Sequence, residues 1–181
     1  SLKNQTIPLN EIIVVDDGSS DTSVEIARSQ GCTIICNNIS KGRGHARMVG
    51  VNNAKSKYIL FCDSSNIIKS NFVEQGLPHF NDKLVSACFG RIKNHERLVD
   101  SLSKWRGHHL FRQNNRQITN PHLVQCLITY AVLLRKEHII KVGNFNPNLR
   151  QCEDQDMGDK LLNNNYKLLS DPELVAFSLR K

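Results

Sequence analysis

The sequence predicts an α/β domain with a mixed, mainly parallel sheet flanked by helices. Three observations predict it. Short β-branched apolar runs alternate with helix-length segments over residues 11–90. Two of those runs end on acidic, turn-forming clusters, Val15-Asp16-Asp17-Gly18-Ser19 and Cys62-Asp63-Ser64-Ser65-Asn66. The chain has 181 residues, 39% hydrophobic and 23% charged, which suits one folded domain with a sizeable core.

Residues 1–10 are polar and read as a tail. Residues 11–15 are short, β-branched and apolar on both faces, the pattern of a buried parallel strand. Residues 16–22 are dense in turn and cap residues, so a helix is expected over 23–30, closed by Gly31 at C′. A second strand follows at 33–36. The basic glycine stretch 41–44 predicts a loop, then a helix over 46–55 and a third strand at 58–62. A helix over 70–78 and a strand at 84–89 continue the alternation.

The rhythm breaks after Gly90. Leu98, Leu102, Trp105 and Leu110 recur near helical spacing between basic residues, so 96–113 is expected as an amphipathic helix packed on the sheet. A membrane-surface or acceptor-docking role is the less favoured reading of that stretch. Residues 114–122 are polar, contain Pro121 and predict a loop. A strand at 129–134 and a helical turn or two at 136–142 come next. A helix over 153–163 carries its acids in the first turn, where the helix dipole favours them. Short strands at 166–169 and 174–177 end the chain.

Composition narrows the partners. The net charge of +7 suits phosphates, anionic lipid or nucleic acid and selects none of them. A nucleic-acid partner is not expected: aromatic residues are only 6%, and the basic residues are spread along the chain without a binding motif. No apolar run approaches the ~20 residues of a membrane helix. The six cysteines form no C-x-x-C pair, which argues against zinc. With no visible signal peptide, they suggest a reducing compartment. A cytoplasmic location is expected, at the inner face of the membrane if there is peripheral contact with lipid.

Three clusters carry chemistry. The two acidic strand ends would put three carboxylates at one sheet edge, where ligands bind in open α/β sheets. Such a group is repulsive unless a metal, Arg47, Lys41 or a ligand donor sits beside it. Lys41-Gly42-Arg43-Gly44-His45-Ala46-Arg47 offers glycines for close backbone approach, a helix N-terminus and three cations, a combination suited to a diphosphate. Cys152-Glu153-Asp154-Gln155-Asp156 opens a helix with acids. They are either caps or a general base that takes a proton from a hydroxyl.

In sequence order, these motifs resemble the inverting family-2 glycosyltransferases, which have the GT-A nucleotide-sugar fold. The matching pieces are residues 11–21 with Val14-Val15-Asp16-Asp17-Gly18-Ser19-Ser20-Asp21, residues 41–50, residues 58–63, and Val142-Gly143-Asn144-Phe145-Asn146 with Glu153 to Asp156. The resemblance implies transfer of a sugar from a nucleotide-diphosphate donor to a hydroxyl of a saccharide or lipid-linked acceptor. It implies that Asp17 recognises the base and that Arg47 and Lys41 lie near the diphosphate. Asp63 would face ribose or a Mg²⁺ or Mn²⁺ ion, with Ser65 beside it. Asp154 would be the catalytic base, and Glu153 would contact sugar or acceptor. On this reading residues 11–90 form the nucleotide-binding half and residues 91–181 the acceptor and catalytic half.

Three departures from the family pattern are visible. Ser65 stands where a second metal-binding acid is usual, and a hydroxyl is a poor replacement for a carboxylate on a hard cation. No histidine follows the last strand in Ala176-Phe177-Ser178-Leu179-Arg180-Lys181. Residues 1–10 do not read as the strand and helix that precede residue 11 in the family. They imply an unpaired strand edge, met by self-association, by a rearranged amino-terminal segment or not at all. The same departures keep open a second reading, a weak or inactive transferase-like module that binds or assembles.

Overall fold

A computed structural model describes residues 1–97, 100–109 and 118–180. Its strands are β1 (Ile13–Asp16), β2 (Thr33–Cys36), β3 (Tyr58–Cys62), β4 (Asn66–Ile68), β5 (Val85–Asn94), β6 (His122–Val124), β7 (Ala131–Arg135) and β8 (Lys167–Ser178). Its helices are α1 (Ser23–Ser29), α2 (Arg43–Asn53), α3 (Phe72–Gly76), α4 (Ser101–His109), α5 (Lys136–Lys141) and α6 (Glu153–Asn163). Single 3₁₀ turns occupy Leu2–Asn4 and Leu77–Asn81.

The strands divide into two sheets. β1 and β2 form a parallel pair. The other sheet runs β3-β7-β5-β8-β4, with β6 also paired to β8. The expected mixed sheet is present, but it is not mainly parallel. Among the described residues β1/β2 and β5/β8 are parallel, whereas β3/β7, β5/β7, β4/β8 and β6/β8 are antiparallel. Two of these antiparallel pairs come from β7, which inserts between β3 and β5 and opposes both, and two from β4 and β6, which oppose β8. All five residues of β7 are buried, so its sequence carries the doubly apolar pattern of a parallel strand without the direction.

The core lies on both faces of this sheet. Val132 and Leu134 of β7 join Val51, Phe89, Phe145, Met157 and Leu161 in one cluster. Leu133, on the opposite side of the same strand, joins Ile68, Phe72, Phe80, Cys88 and Leu174 in the other. β5 would keep Val85 and Ala87 on one face were it regular. A register shift between them against β8 sends Val85 to one cluster and Ala87 to the other.

Several expected boundaries move. The expected strands at 166–169 and 174–177 are one element, β8, which follows β5 through two register shifts. The helix expected at 70–78 is a short α3 that tightens into a 3₁₀ turn at Leu77–Asn81 around Pro78. α2 starts at Arg43, so half of the expected glycine loop is the first turn of the helix. Gly44 sits there because an added Cβ would lie 2.2 Å from the Asn146 carbonyl oxygen. The helix expected over 96–113 is described only at Ser101–His109; residues 98–99 and 110–117 lie outside the described residues.

Residues 1–10, expected as a tail, dock on the domain. Gln5 is buried; it donates to the Lys69 carbonyl at 2.8 Å and accepts from the Val73 N–H at 3.2 Å. Leu2 and Leu9 pack on the second cluster beside Tyr58 and Leu60. This segment forms no strand among the described residues. Among the described residues β1 pairs only with β2, and β3 only with β7, so each presents an open edge there. α2 lies across both: a Cβ at Gly50 would be 3.8 Å from Val15 and from Phe61.

The tightest backbone approach is at Gly90 in β5. A Cβ there would stand 1.8 Å from the Leu174 carbonyl oxygen and 2.4 Å from that of Asp171. Both are backbone atoms that cannot swing away, so Gly90→Ala must push β5 and β8 apart. The expected cost is about 1–3 kcal/mol, read as a lower urea midpoint with an unchanged slope. An unchanged midpoint would show that β8 accommodates the methyl group.

Candidate functional site

The site is built at the carboxyl end of β3 and the first turn of α6. Asp63 follows β3 directly, and its N–H donates to the Tyr130 carbonyl at 2.9 Å. Glu153 is the first residue of α6 and is 1% exposed. Arg47, on the second turn of α2, joins them. Its Nη1 is paired with Glu153 Oε1, and its Nη2 lies 3.4 Å from Asp63 Oδ1. Three elements distant in sequence therefore meet through one guanidinium that is only 12% exposed.

A second guanidinium reaches Asp63 from the opposite end of the sheet. β4 pairs with the end of β8, Asn66 against Ser178. The Leu179 N–H then donates to the Ser65 carbonyl at 2.8 Å. That register sets Arg180 over the 63–65 turn, where its Nε donates to Ser65 Oγ at 2.9 Å and its Nη2 lies 3.5 Å from Asp63 Oδ2. Burial raises the Asp63 pKa above the usual carboxylate range; Arg47, Arg180 and Arg43 oppose that rise, and Asp154 adds to it. Asp154 is thus an electrostatic neighbour of Asp63. It is half-buried, and its Oδ1 accepts from the Gln155 N–H. The beginning of the cluster is chemically quiet: burial first, then Asp63, pushes the Cys62 thiol up to about 11, so it stays protonated.

The structure brings together Asp63, Glu153, Asp154, Arg47 and Ser65 of the residues expected from sequence. It adds Arg180, and Arg43 of the basic glycine stretch also acts on Asp63. Arg180 is not legible as a site residue in the sequence, because only the pairing of β4 with β8 places it over Ser65. Lys41 is exposed, and its backbone N–H rather than its ammonium has the recorded bond, to Asp17 Oδ1 at 2.9 Å.

Asp17, which the resemblance implies recognises the base, latches a loop in this structure. Its Oδ1 accepts from Asn37 Nδ2 and the Lys41 N–H, and its Oδ2 from Ser40 Oγ and the Gly42 N–H, all at 2.8–2.9 Å. Four donors fill the acceptor capacity of a carboxylate. A base could bind Asp17 only by displacing one of them. Asp16 beside it is buried and closes its own turn, accepting from the Gly18 and Ser19 N–H groups. The 40–42 loop latched by Asp17 is also held by Arg150, which donates to the Ser40 carbonyl at 3.1 Å.

The donor set does not match a hard divalent cation. Such an ion needs several oxygen ligands, carboxylates above all. Asp63 directs one oxygen to each of two guanidinia, and the Ser65 hydroxyl accepts from Arg180. No cluster of three or more His, Cys, Asp or Glu suited to a metal occurs among the described residues.

The Asp17 latch has a measurable pH signature. Burial raises its pKa, but the bonds from Lys41, Asn37, Gly42 and Ser40 outweigh that and bring it from 3.8 to about 2. A carboxylate depressed on folding stabilises the fold above its unfolded pKa and loses that contribution as pH falls through the folded one. Stability should therefore fall with acid over the window from 3.8 to about 2, and Asp17→Asn should flatten that slope in urea titrations. Parallel slopes for the two proteins would remove the latch from the account.

Comparison with known proteins agrees with this architecture. The model of glycosyl transferase family 2 matches residues 1–143. Hyaluronan synthase of Streptococcus pyogenes is 30% identical over 114 residues, covering 58% of this chain and 27% of that protein. The glycosyltransferase GlyG of Streptococcus pneumoniae is 31% identical over 97 residues, covering 51% of this chain and 32% of that protein. The chain thus spans about a quarter to a third of these relatives. Among solved structures, GalNAc-T7 with UDP, GalNAc and Mn²⁺ superposes with a TM-score of 0.73 at 16% identity, covering 94% of this chain and 38% of its own. The mannosyltransferase PcManGT of Pyrobaculum calidifontis, in complex with GDP-Man and Mn²⁺, also gives 0.73 at 15% identity, covering 97% of this chain and 50% of its own. With these neighbours sharing the GT-A fold and the family model spanning most of its length, the chain belongs to glycosyl transferase family 2.

Proposed function

We propose that this chain moves a sugar from a nucleotide-diphosphate donor to an acceptor hydroxyl, with inversion at the anomeric carbon and Asp154 as general base. The observation that carries the reading is the Arg47 bridge. It holds Glu153, and with it the adjacent Asp154, to Asp63 at the strand end where nucleotides bind in α/β sheets. The complexes of GalNAc-T7 with UDP and of PcManGT with GDP-Man support the donor class. The hyaluronan synthase relative supports a saccharide acceptor in polysaccharide synthesis.

The chemistry follows from the charges. The acceptor oxygen attacks the anomeric carbon while the bond from that carbon to the diphosphate oxygen breaks. The hydroxyl proton passes to the Asp154 carboxylate, and the nucleoside diphosphate leaves with the bonding pair. One displacement inverts the centre. Asp154 suits the base role because it is half-buried and adjoins the cluster without an ion pair among the described residues. Glu153 has a different task. Its Oε1 is committed to Arg47, and its Oε2 is buried with no partner among the described residues. A buried acceptor left unpaired costs about 1–3 kcal/mol, which a sugar hydroxyl donating to it would recover.

Replacing Asp154 by Asn keeps its size and removes its basicity. Transfer should fall by roughly 10²–10⁴-fold, with donor binding almost unchanged by calorimetry. Full turnover in the Asn variant would move the base elsewhere. Tight nucleotide binding without turnover in the unaltered chain would favour a transferase-like binding module.

Glu153→Gln should act differently. It leaves Arg47 facing a neutral amide in a buried place, so both the unfolding midpoint and donor affinity should drop together. A loss of turnover alone would make Glu153 a catalytic group and not the anchor of the bridge.

A further inference from the structure

The arrangement around Asp63 leaves the donor's diphosphate without a metal-type set of oxygen ligands but with guanidinium groups. Arg47 is 12% exposed and divides its two Nη atoms between Glu153 and Asp63. Arg180 is 58% exposed. Its Nε is anchored on Ser65 Oγ and one Nη lies at the longer distance of 3.5 Å from Asp63. Ser65, the residue that weakens metal binding, is therefore the residue that orients this side chain.

We propose that Arg180 takes the place of a divalent cation as the charge that holds the donor's diphosphate, so that nucleotide binding by this chain needs no metal ion. The inference rests on the transferase reading above. A guanidinium is permanently charged, and its planar fork matches two phosphate oxygens at once, which suits it to this work. The β4/β8 register presents it to the 63–65 turn, at the strand end where the donor would lie. Ser65 Oγ fixes the plane of the fork by its bond to Nε, and Asp63 balances its charge while no ligand is bound. Arg43, which also acts on Asp63, supplies a second cation from the first turn of α2. No bond is made or broken by Arg180; its contribution is to attract the diphosphate and to stabilise the charge that grows on it as the sugar leaves.

The test is calorimetric titration of UDP, GDP, TDP and CMP in excess EDTA and again in Mn²⁺, for the unaltered chain, Arg180→Gln and Arg180→Lys. At least one nucleoside diphosphate should bind the unaltered chain equally well in both conditions. Arg180→Gln should weaken it by roughly ten- to a hundredfold, as expected for loss of a charge-assisted fork. Arg180→Lys should fall between, since it keeps the charge and loses the fork. Binding that requires Mn²⁺ in the unaltered chain would overturn the inference and leave the transferase reading intact. So would unchanged affinity in Arg180→Gln. Should that variant fail to fold, shown by its thermal melt, Arg180→Lys decides: affinity equal to the unaltered chain overturns the role of the fork. If no nucleotide binds in either condition, the transferase reading fails and this inference fails with it.

Discussion

The Arg47 guanidinium is the constraint on which the site depends. It is nearly buried, and a buried cation must be paired or it is expelled from the fold. Its partners come from the end of β3 and the start of α6, 16 and 106 residues away. Neither carboxylate would be tolerable alone: Glu153 is almost fully buried, and burial already raises the Asp63 pKa. Each charge makes the other two acceptable. The bridge is therefore less a source of stability than a device for register, since replacing one member leaves a buried charge unmatched. It ties the end of β3 to the helix that carries Asp154.

Around that bridge the charges come close to balance. Asp63, Glu153 and Asp154 face Arg43, Arg47 and Arg180. A balanced cluster can be desolvated by a ligand at less cost than a field of one sign. The Asp17 latch contributes in another way. It rigidifies the 40–42 loop at the entrance of α2, so Arg43 and Arg47 are delivered by a helix whose first turn is fixed before any ligand arrives.

Much of this was legible in the sequence where one residue type has one physical reason to be present. The runs at 11–15, 33–36 and 58–62 are short, β-branched and bounded by turn residues, and they became β1, β2 and β3, the first shifted to Ile13–Asp16. The acids at 153–156 open a helix, as their fit to its dipole suggests. What was hidden depended on pairing between distant segments. β7 reads the same whether its neighbours are parallel or antiparallel. β4, three residues long, has no periodicity to detect and exists because β8 runs past it. The four donors from 37–42 that surround Asp17 are set by the fold and cannot be read from its motif. Arg180 was invisible for the same reason, since only the β4/β8 register gives it a place beside Ser65.

The open seam between β1 and β3 has a consequence for how the domain breathes. The β1–β2 layer with α1 shares no strand ladder with the six-stranded sheet among the described residues. It is joined to the rest through α2 and the loop contacts at 40–44 and 146–150. Regions with few shared backbone bonds open at lower free energy than the global transition. The amides of β1 and β2 should exchange with solvent sooner than those of β7, which is paired on both sides and buried along its length. The β1–β2 layer can thus open as its own cooperative unit. A ligand bridging that layer and the Asp63 cluster would act as a mortise across the seam, protecting amides that it never touches.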